Sequence, residues 1–420
     1  MGVPQDHVLR TGQAQQHLDD LVRVWLGVRD RRIAVPRLPD DLARLVLRVE
    51  EYERNDRDAW GGWPADASES FRRGALRKPE IDVWLEERRA DLPPGTLLEP
   101  RWPSGRRFAV CLTHDVDLLS IASTPMQALR HARAGLAPGV GGRGETIARL
   151  ARPAARLART TRTGISRAPS LRETLERSLD LERAHDATAS YLFTVPPHRP
   201  RSRYDCAYAP GDRCLFRGRQ VRVAEVMREL DGDGFDVGLH GGYGAASTPG
   251  ALAAERATLE AATGLEITTT RQHFLRWDIR WTPLHQEAAG LRTDSTMGFN
   301  FDVGFRAGTS LPFRLFDVPN ARPLDLLEVP LVAQDGAILG PGALGLRGPE
   351  AMSLLRALFD SVSSLGGALT LLVHPDKLAR PEWLALYEWS LAYGRERGGW
   401  LTSLRELSAW WRGREMRILA

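Results

Sequence analysis

Apolar and polar positions follow a two-part rhythm along most of the chain. Short, nearly continuous apolar runs alternate with longer stretches whose apolar residues recur every three or four positions. The runs are "RFAVCLTHDVD", "TASYLFTV", "FDVGLHGG", "ITTTRQHF", "LRTDSTMGF", "LLEVPLV" and "ALTLLVHP", and they read as strands buried on both faces. Between them lie helical stretches. "SLRETLERSLDLERAHDA" opens with a capping box, Ser170 with Glu173, and "QVRVAEVMRELDGDG" follows as a helix. "ALAAERATLEAATG" is closed by Gly264, "TPLHQEAAG" is short, and "EAMSLLRALFDSVSSLGG" is long. "PEWLALYEWSLAYGRERGG" and "SLRELSAWW" finish the chain as helices. Strand and helix in alternation imply parallel strands joined by crossover helices. The predicted fold class is α/β, a distorted (β/α)7-type barrel with a helical N-terminal extension. No glycine-rich phosphate fingerprint follows any strand, so an open nucleotide-binding sheet is the weaker choice.

Residues 1–100 break this rhythm. "HLDDLVRVWLGV" and "DDLARLVLRVEEYE" have helical spacing, whereas "WGGWPADASES" is loop-like. They are expected to pack as helices on a barrel formed by 101–420. A second irregular stretch, 129–169, is rich in Ala, Arg and Gly, with Glu145 as its single acid. It reads as a surface insertion. A basic amphipathic helix around "IARLARPAARLAR", broken at Pro153, would give it peripheral contact with a membrane face.

Of the 420 residues, 43% are hydrophobic, enough for a large core. Lys and Arg number 57 against 53 Asp and Glu, too slight an excess to call for nucleic acid. The beginning of the sequence shows no apolar signal core and the chain no transmembrane run, which points to a cytoplasmic protein. Three cysteines are sparse, as in a reducing compartment. Cys206 and Cys214 are near enough in sequence to pair, but their spacing matches no zinc motif.

The chemistry gathers at strand ends. His114, His240, His273 and His374 each lie at or just past the C-terminal end of a predicted strand, as do Asp115, Asp117, Arg271 and Asp294. In a parallel barrel these ends converge on one mouth, where active sites lie. The order of motifs resembles the polysaccharide deacetylases of the NodB-homology type, carbohydrate esterase family 4, over Phe108 to Arg412. The stretches that carry the resemblance are Thr113-His114-Asp115-Val116-Asp117, His240 to Gly244, "TRQHF" at Arg271, and "LLVHP" at His374-Pro375.

The resemblance implies Asp115 as general base, Arg271 as its partner and His374 as general acid. It implies Asp117 and His240 as ligands of a divalent metal, zinc by preference. The family's second motif ends in a second histidine, and Gly244 stands in that place. Catalytic zinc commonly takes three protein ligands plus water, so His273 is the candidate third ligand. His114 is assigned to the barrel wall, because neighbouring side chains on a strand face opposite ways and Asp115 must face the mouth. Aromatic and charged positions around "DSTMGFNFDVGFRAGTSLPF" suit a sugar, which makes Tyr243, Trp277, Asp294, Phe299, Phe305 and Arg306 candidate substrate contacts, Arg306 for an anionic group. Three functions stand open: an N-deacetylase of a sugar or glycan precursor, an amidohydrolase acting on a non-sugar amide, and a metal-free or inactive relative that binds carbohydrate.

Overall fold

In the computed structural model, residues 12–119, 169–196, 202 and 204–420 are described. The predicted insertion, all but its last residue, lies outside them. The first strand, β1 (Phe108–Val116), is buried at every position, as its unbroken apolar run requires. It pairs in parallel with β2 (Ser190–Phe193) on one edge. After the hairpin of β3 (Arg213–Phe216) and β4 (Arg219–Arg222), β5 (Asp236–Gly241) joins β2, again in parallel. Next come β6 (Thr269–Gln272) and β7 (Thr293–Asp294).

One extended segment then closes the ring. Its first part, β9 (Arg322–Glu328), pairs with β7, and its last part, β10 (Ala333–Gln334), pairs with β11 (Ala368–Leu372), which lies on the free edge of β1. Counting that segment once, the barrel has seven parallel members, the fold that the sequence predicts.

The remaining strands depart from the prediction. β8 (Phe313–Asp317) runs antiparallel to β9, outside the ring. β12 (Gly399–Thr402) pairs with Phe108–Cys111 on the β1 edge whose upper part, Thr113–Val116, holds β2. The barrel is therefore split at its base by the chain's last strand. The helix expected from Ser170 begins at Leu175, because Ser170 is extended and bridges to Leu215. The helix read from Gln220 begins at Val223, since 219–222 is the return strand of the hairpin. Its turn, Arg217-Gly218, takes positive φ at both residues, 49° and 74°, which matches the twist of the flanking strands.

The N-terminal helices, among them Gly12–Leu26, Asp40–Val46 and Glu80–Arg89, share one apolar core with the barrel. Leu21, Trp25 and Leu45 belong to the same cluster as Phe313, Leu326, Leu407 and Trp411. Trp25 donates its indole N–H to Pro312 O at 3.0 Å. The buried carboxylate of Asp82 accepts from the hydroxyls of Thr309 and Ser310, each at 2.5 Å. Among the described residues no helix is long and apolar enough to cross a membrane.

Candidate active site

The parallel strands bring six polar side chains to the C-terminal mouth. On β1 the alternation holds. Thr113 and Asp115 face inward, and His114 faces the helices outside. His114 is fully buried there, with Nδ1 2.7 Å from Val373 O and Nε2 2.6 Å from Glu182 Oε1, and its ring stacks on Tyr191. Val373 O can only accept, so Nδ1 donates to it, and both ring nitrogens are engaged by protein groups outside the mouth. This is the wall position expected for it.

Arg271 lies opposite His240 in the β5–β6 register. Its guanidinium makes four hydrogen bonds. Nε donates to Ser295 O at 2.6 Å, one terminal nitrogen to Thr113 Oγ1 at 2.9 Å and Asp115 Oδ1 at 3.0 Å, and the other to Ser295 Oγ at 2.9 Å. A planar, five-donor group pinned in this way fixes the carboxylate it touches. Burial pushes the Asp115 carboxyl up, but His240 and Arg271 beside it hold it below the usual carboxylate range.

Asp117, just past β1, is the hub. Its Oδ1 lies 3.3 Å from His240 Nε2, 3.6 Å from His273 Nε2 and 3.8 Å from Cys206 Sγ. Its Oδ2 lies 3.7 Å from His374 Nε2. Burial opposes its charge, yet His273, His240 and His374 hold the carboxyl well below its ordinary value. His240 Nδ1 donates to Arg271 O at 3.0 Å, which leaves Nε2 as the ring's free donor atom toward Asp117. That atom is buried and has no hydrogen-bond partner. A histidine whose far nitrogen is tied to a carbonyl, with its near nitrogen bare and aimed at a carboxylate, has the arrangement of a metal ligand. Asp117, His240 and His273 therefore offer the donor types that a divalent ion takes, with both imidazoles near one carboxylate oxygen.

His374 follows β11 and is gripped by Asp335, the first residue of a short helix (Asp335–Leu339). Burial pulls the imidazole down, but Asp335, then Asp117 and Asp115, lift its pKa to about 10. The motif "HGG" has a packing reason as well. A Cβ on Gly242 would meet Glu255 Oε1 at 2.6 Å, while Gly242 N donates to Glu255 Oε2 at 2.9 Å.

Over the mouth stand aromatic rings. Phe274 and Leu275 follow His273 with positive φ, 58° and 49°, an unfavourable conformation for such side chains. This bend lays Phe274 on His273, with ring centroids 4.3 Å apart. Trp60, from the N-terminal extension, stacks on the Phe274 ring at 4.7 Å, and Tyr204 and Tyr243 complete the cluster. Tyr243 also borders a cleft of about 390 Å³ together with Arg57, Arg276 and Arg280. A larger groove of about 510 Å³ lies away from the mouth, beside the helix Gly12–Leu26. Among its polar groups, Arg314 is engaged with Glu415 and His17 with Arg314 O.

Asp115, Asp117, His240, Arg271, His273 and His374 thus come together, and Tyr243 sits at the rim. The other predicted substrate contacts do not reach the mouth. Arg306 is fully buried and bound through Nε and a terminal nitrogen to Glu51, at 2.8 and 2.6 Å. Its charge is met by protein, as part of an Arg48–Glu51–Arg306 cluster, and not by an anionic ligand. Phe305 is core, and Phe299 packs with Trp63 and Leu76. Trp277 is 1% exposed beneath Arg306. Asp294 faces outward from the barrel, bonded to Thr296 Oγ1 at 2.5 Å, and burial raises its pKa to about 6.

Sequence reasoning did not single out Asp335, Cys206, Trp60, Tyr204 or Ser295. Only Asp335 had a local signal, an acid directly after an apolar segment at the same end of the barrel. Cys206 and Cys214 are both free thiols.

No family model matches the sequence, and neither does any curated protein. Among solved structures, the chain is similar to a protein from Mycobacterium smegmatis designated a polysaccharide deacetylase, with 18% identity over 75% of this chain and 93% of that one, at a TM-score of 0.48. It is similar to the allantoinase Puue, with 15% identity over 76% of this chain and 95% of that one, at a TM-score of 0.48. It is also similar to a protein from Pseudomonas aeruginosa PAO1 designated a polysaccharide deacetylase, with 15% identity over 76% and 95%, at a TM-score of 0.46.

Proposed function

We propose that this chain is a metal-dependent hydrolase that removes an N-acetyl group from a sugar or glycan precursor. The observation that carries the reading is the surroundings of Asp117, with two histidine nitrogens near one carboxylate oxygen, and a second acid and a third histidine alongside. Asp117, His240 and His273 would hold the ion. When bound, a divalent ion polarises the amide carbonyl and lowers the pKa of water.

The chain's own groups supply the proton traffic. Asp115, paired with Arg271, takes a proton from water. His374, kept protonated by Asp335, gives one to the departing nitrogen. An acid and a base held at separated pKa values at one mouth suit the cleavage of an amide, which needs both. Trp60, Tyr204 and Tyr243, held together by Phe274, offer apolar surface to a pyranose ring, and the arginines of the neighbouring cleft suit its hydroxyls or an attached anionic group.

The test is acetate release from N-acetylated hexosamine oligomers by the zinc-loaded chain and by Asp115→Asn. The reading expects release from the first and a loss of about 100-fold or more in the second. Equal rates would overturn it.

A further inference from the structure

We infer that Cys206 is a ligand of the metal, so that the site is a mixed carboxylate, imidazole and thiolate centre. The inference rests on the metal site proposed above and deepens it. The sulfur lies 3.8 Å from Asp117 Oδ1. Donor atoms of Asp117, Cys206 and His273 all lie within 4.8 Å of one another. Around zinc, with bonds of about 2.0–2.3 Å, adjacent donors stand roughly 3.2–3.8 Å apart, and Asp117 Oδ1 meets its three neighbours at distances of that order.

The second observation is independent of the cysteine. His240 Nε2, 1% exposed as a residue and without a hydrogen-bond partner, points at the same carboxylate oxygen, at 3.3 Å.

The loop that carries Cys206 is anchored on both sides of it. Asp205 accepts from the backbone N–H of Tyr243 at 3.1 Å. Tyr208 donates to Val116 O at 2.6 Å and accepts from Thr194 N at 3.0 Å. The sulfur is therefore held over Asp117 by the backbone of β1, β2 and the loop after β5. Gly244 offers no donor, so the deficit noted in the sequence is met by a sulfur from another loop.

The chemistry has a consequence for metal choice. A thiolate is a soft ligand, so the centre selects zinc or cobalt(II) over magnesium, calcium or manganese. Cys206 binds as thiolate, and its proton leaves to solvent as the metal enters.

The experiment uses the full chain loaded with cobalt(II). The inference expects one cobalt per chain and a sulfur-to-cobalt charge-transfer band in the near ultraviolet. The band is lost in Cys206→Ser and kept in Cys214→Ser. Cobalt affinity in Cys206→Ser falls by more than about the 100-fold that loss of an outer-shell partner costs. Wild-type chain gives a second readout that needs no variant. Alkylation of Cys206 by iodoacetamide, mapped by mass spectrometry, is suppressed when stoichiometric zinc is present. Cobalt bound without the band, or alkylation unchanged by zinc, overturns the inference and leaves the proposed metal site standing on Asp117, His240 and His273. Failure of wild type to bind either metal overturns both.

Discussion

His374 and Asp335 make a two-point contact. One carboxylate oxygen accepts from His374 Nδ1 at 2.7 Å, and the other accepts from the backbone N–H of the same residue at 2.7 Å. The contact fixes which ring nitrogen faces Asp117, and it favours the charged imidazolium. With its pKa raised to about 10, the group is protonated through neutral pH and loses its proton only as the pH approaches that value. Asp335→Asn removes the anion but keeps the shape. The falling basic limb of the kcat/KM profile then shifts to lower pH by more than about one unit, since a carboxylate this close shifts a partner by 1–3 units. An unmoved limb would show that Asp335 only packs.

Trp60 reaches the mouth from the N-terminal extension by stacking on Phe274, the two rings 14° from parallel. Trp60→Ala removes one apolar face while Asp115, Asp117 and the histidines stay in place. Loss of about 1–1.5 kcal/mol of contact corresponds to a KM roughly tenfold higher. Steady-state kinetics on the sugar substrate should show that rise with kcat within about twofold. A fall in kcat at constant KM would contradict a binding role.

Glu51 lies between two fully buried guanidiniums, Arg48 and Arg306. Glu51→Ala leaves both cations in the core without their shared carboxylate. A broken buried pair costs about 3–5 kcal/mol, which urea unfolding would register as a lower midpoint. A change below about 1 kcal/mol would mean that the cluster is well solvated.

His17 is buried against Phe316 and donates Nε2–H to Arg314 O at 3.1 Å. Burial lowers its pKa to about 4 from an ordinary 6.5. The folded state therefore prefers the neutral ring. The unfolded chain binds this proton more readily between pH 6.5 and 4, so this group's contribution is complete above 6.5 and declines as the pH falls through that window. The loss by pH 4 is about 3 kcal/mol. In His17→Phe, stability measured by urea unfolding should decline less steeply over the same range. Equal slopes would contradict the assignment.

What the sequence reveals and what it hides follow one physical rule. Strand alternation is local, so the inward Asp115 and the outward His114 can be read from "THDVD" alone. Convergence of strand ends follows from a parallel barrel, so the grouping of Asp117, His240, Arg271, His273 and His374 is legible in the sequence. Arg306 and Phe305 sit in a stretch with the look of a binding loop. Their true partners are not local, since Glu51 lies 255 residues away in sequence from Arg306. Cys206 is hidden for the same reason, being 89 residues from Asp117 in a loop without a metal-spacing motif. The strand at the base of the barrel stays hidden because β12 is short, glycine-led and flanked by helices, so it carries no run long enough to register as a strand.

Everything proposed for the mouth turns on Asp117 as the anchor of a divalent metal. The most direct measurement is metal content, by mass spectrometry of the intact chain purified without chelators, for wild type and Asp117→Ala side by side. About one zinc, cobalt or nickel ion per wild-type chain is expected, and none retained by the variant. A wild-type chain that holds no divalent ion, even after incubation with excess zinc and removal of the unbound metal, would contradict it.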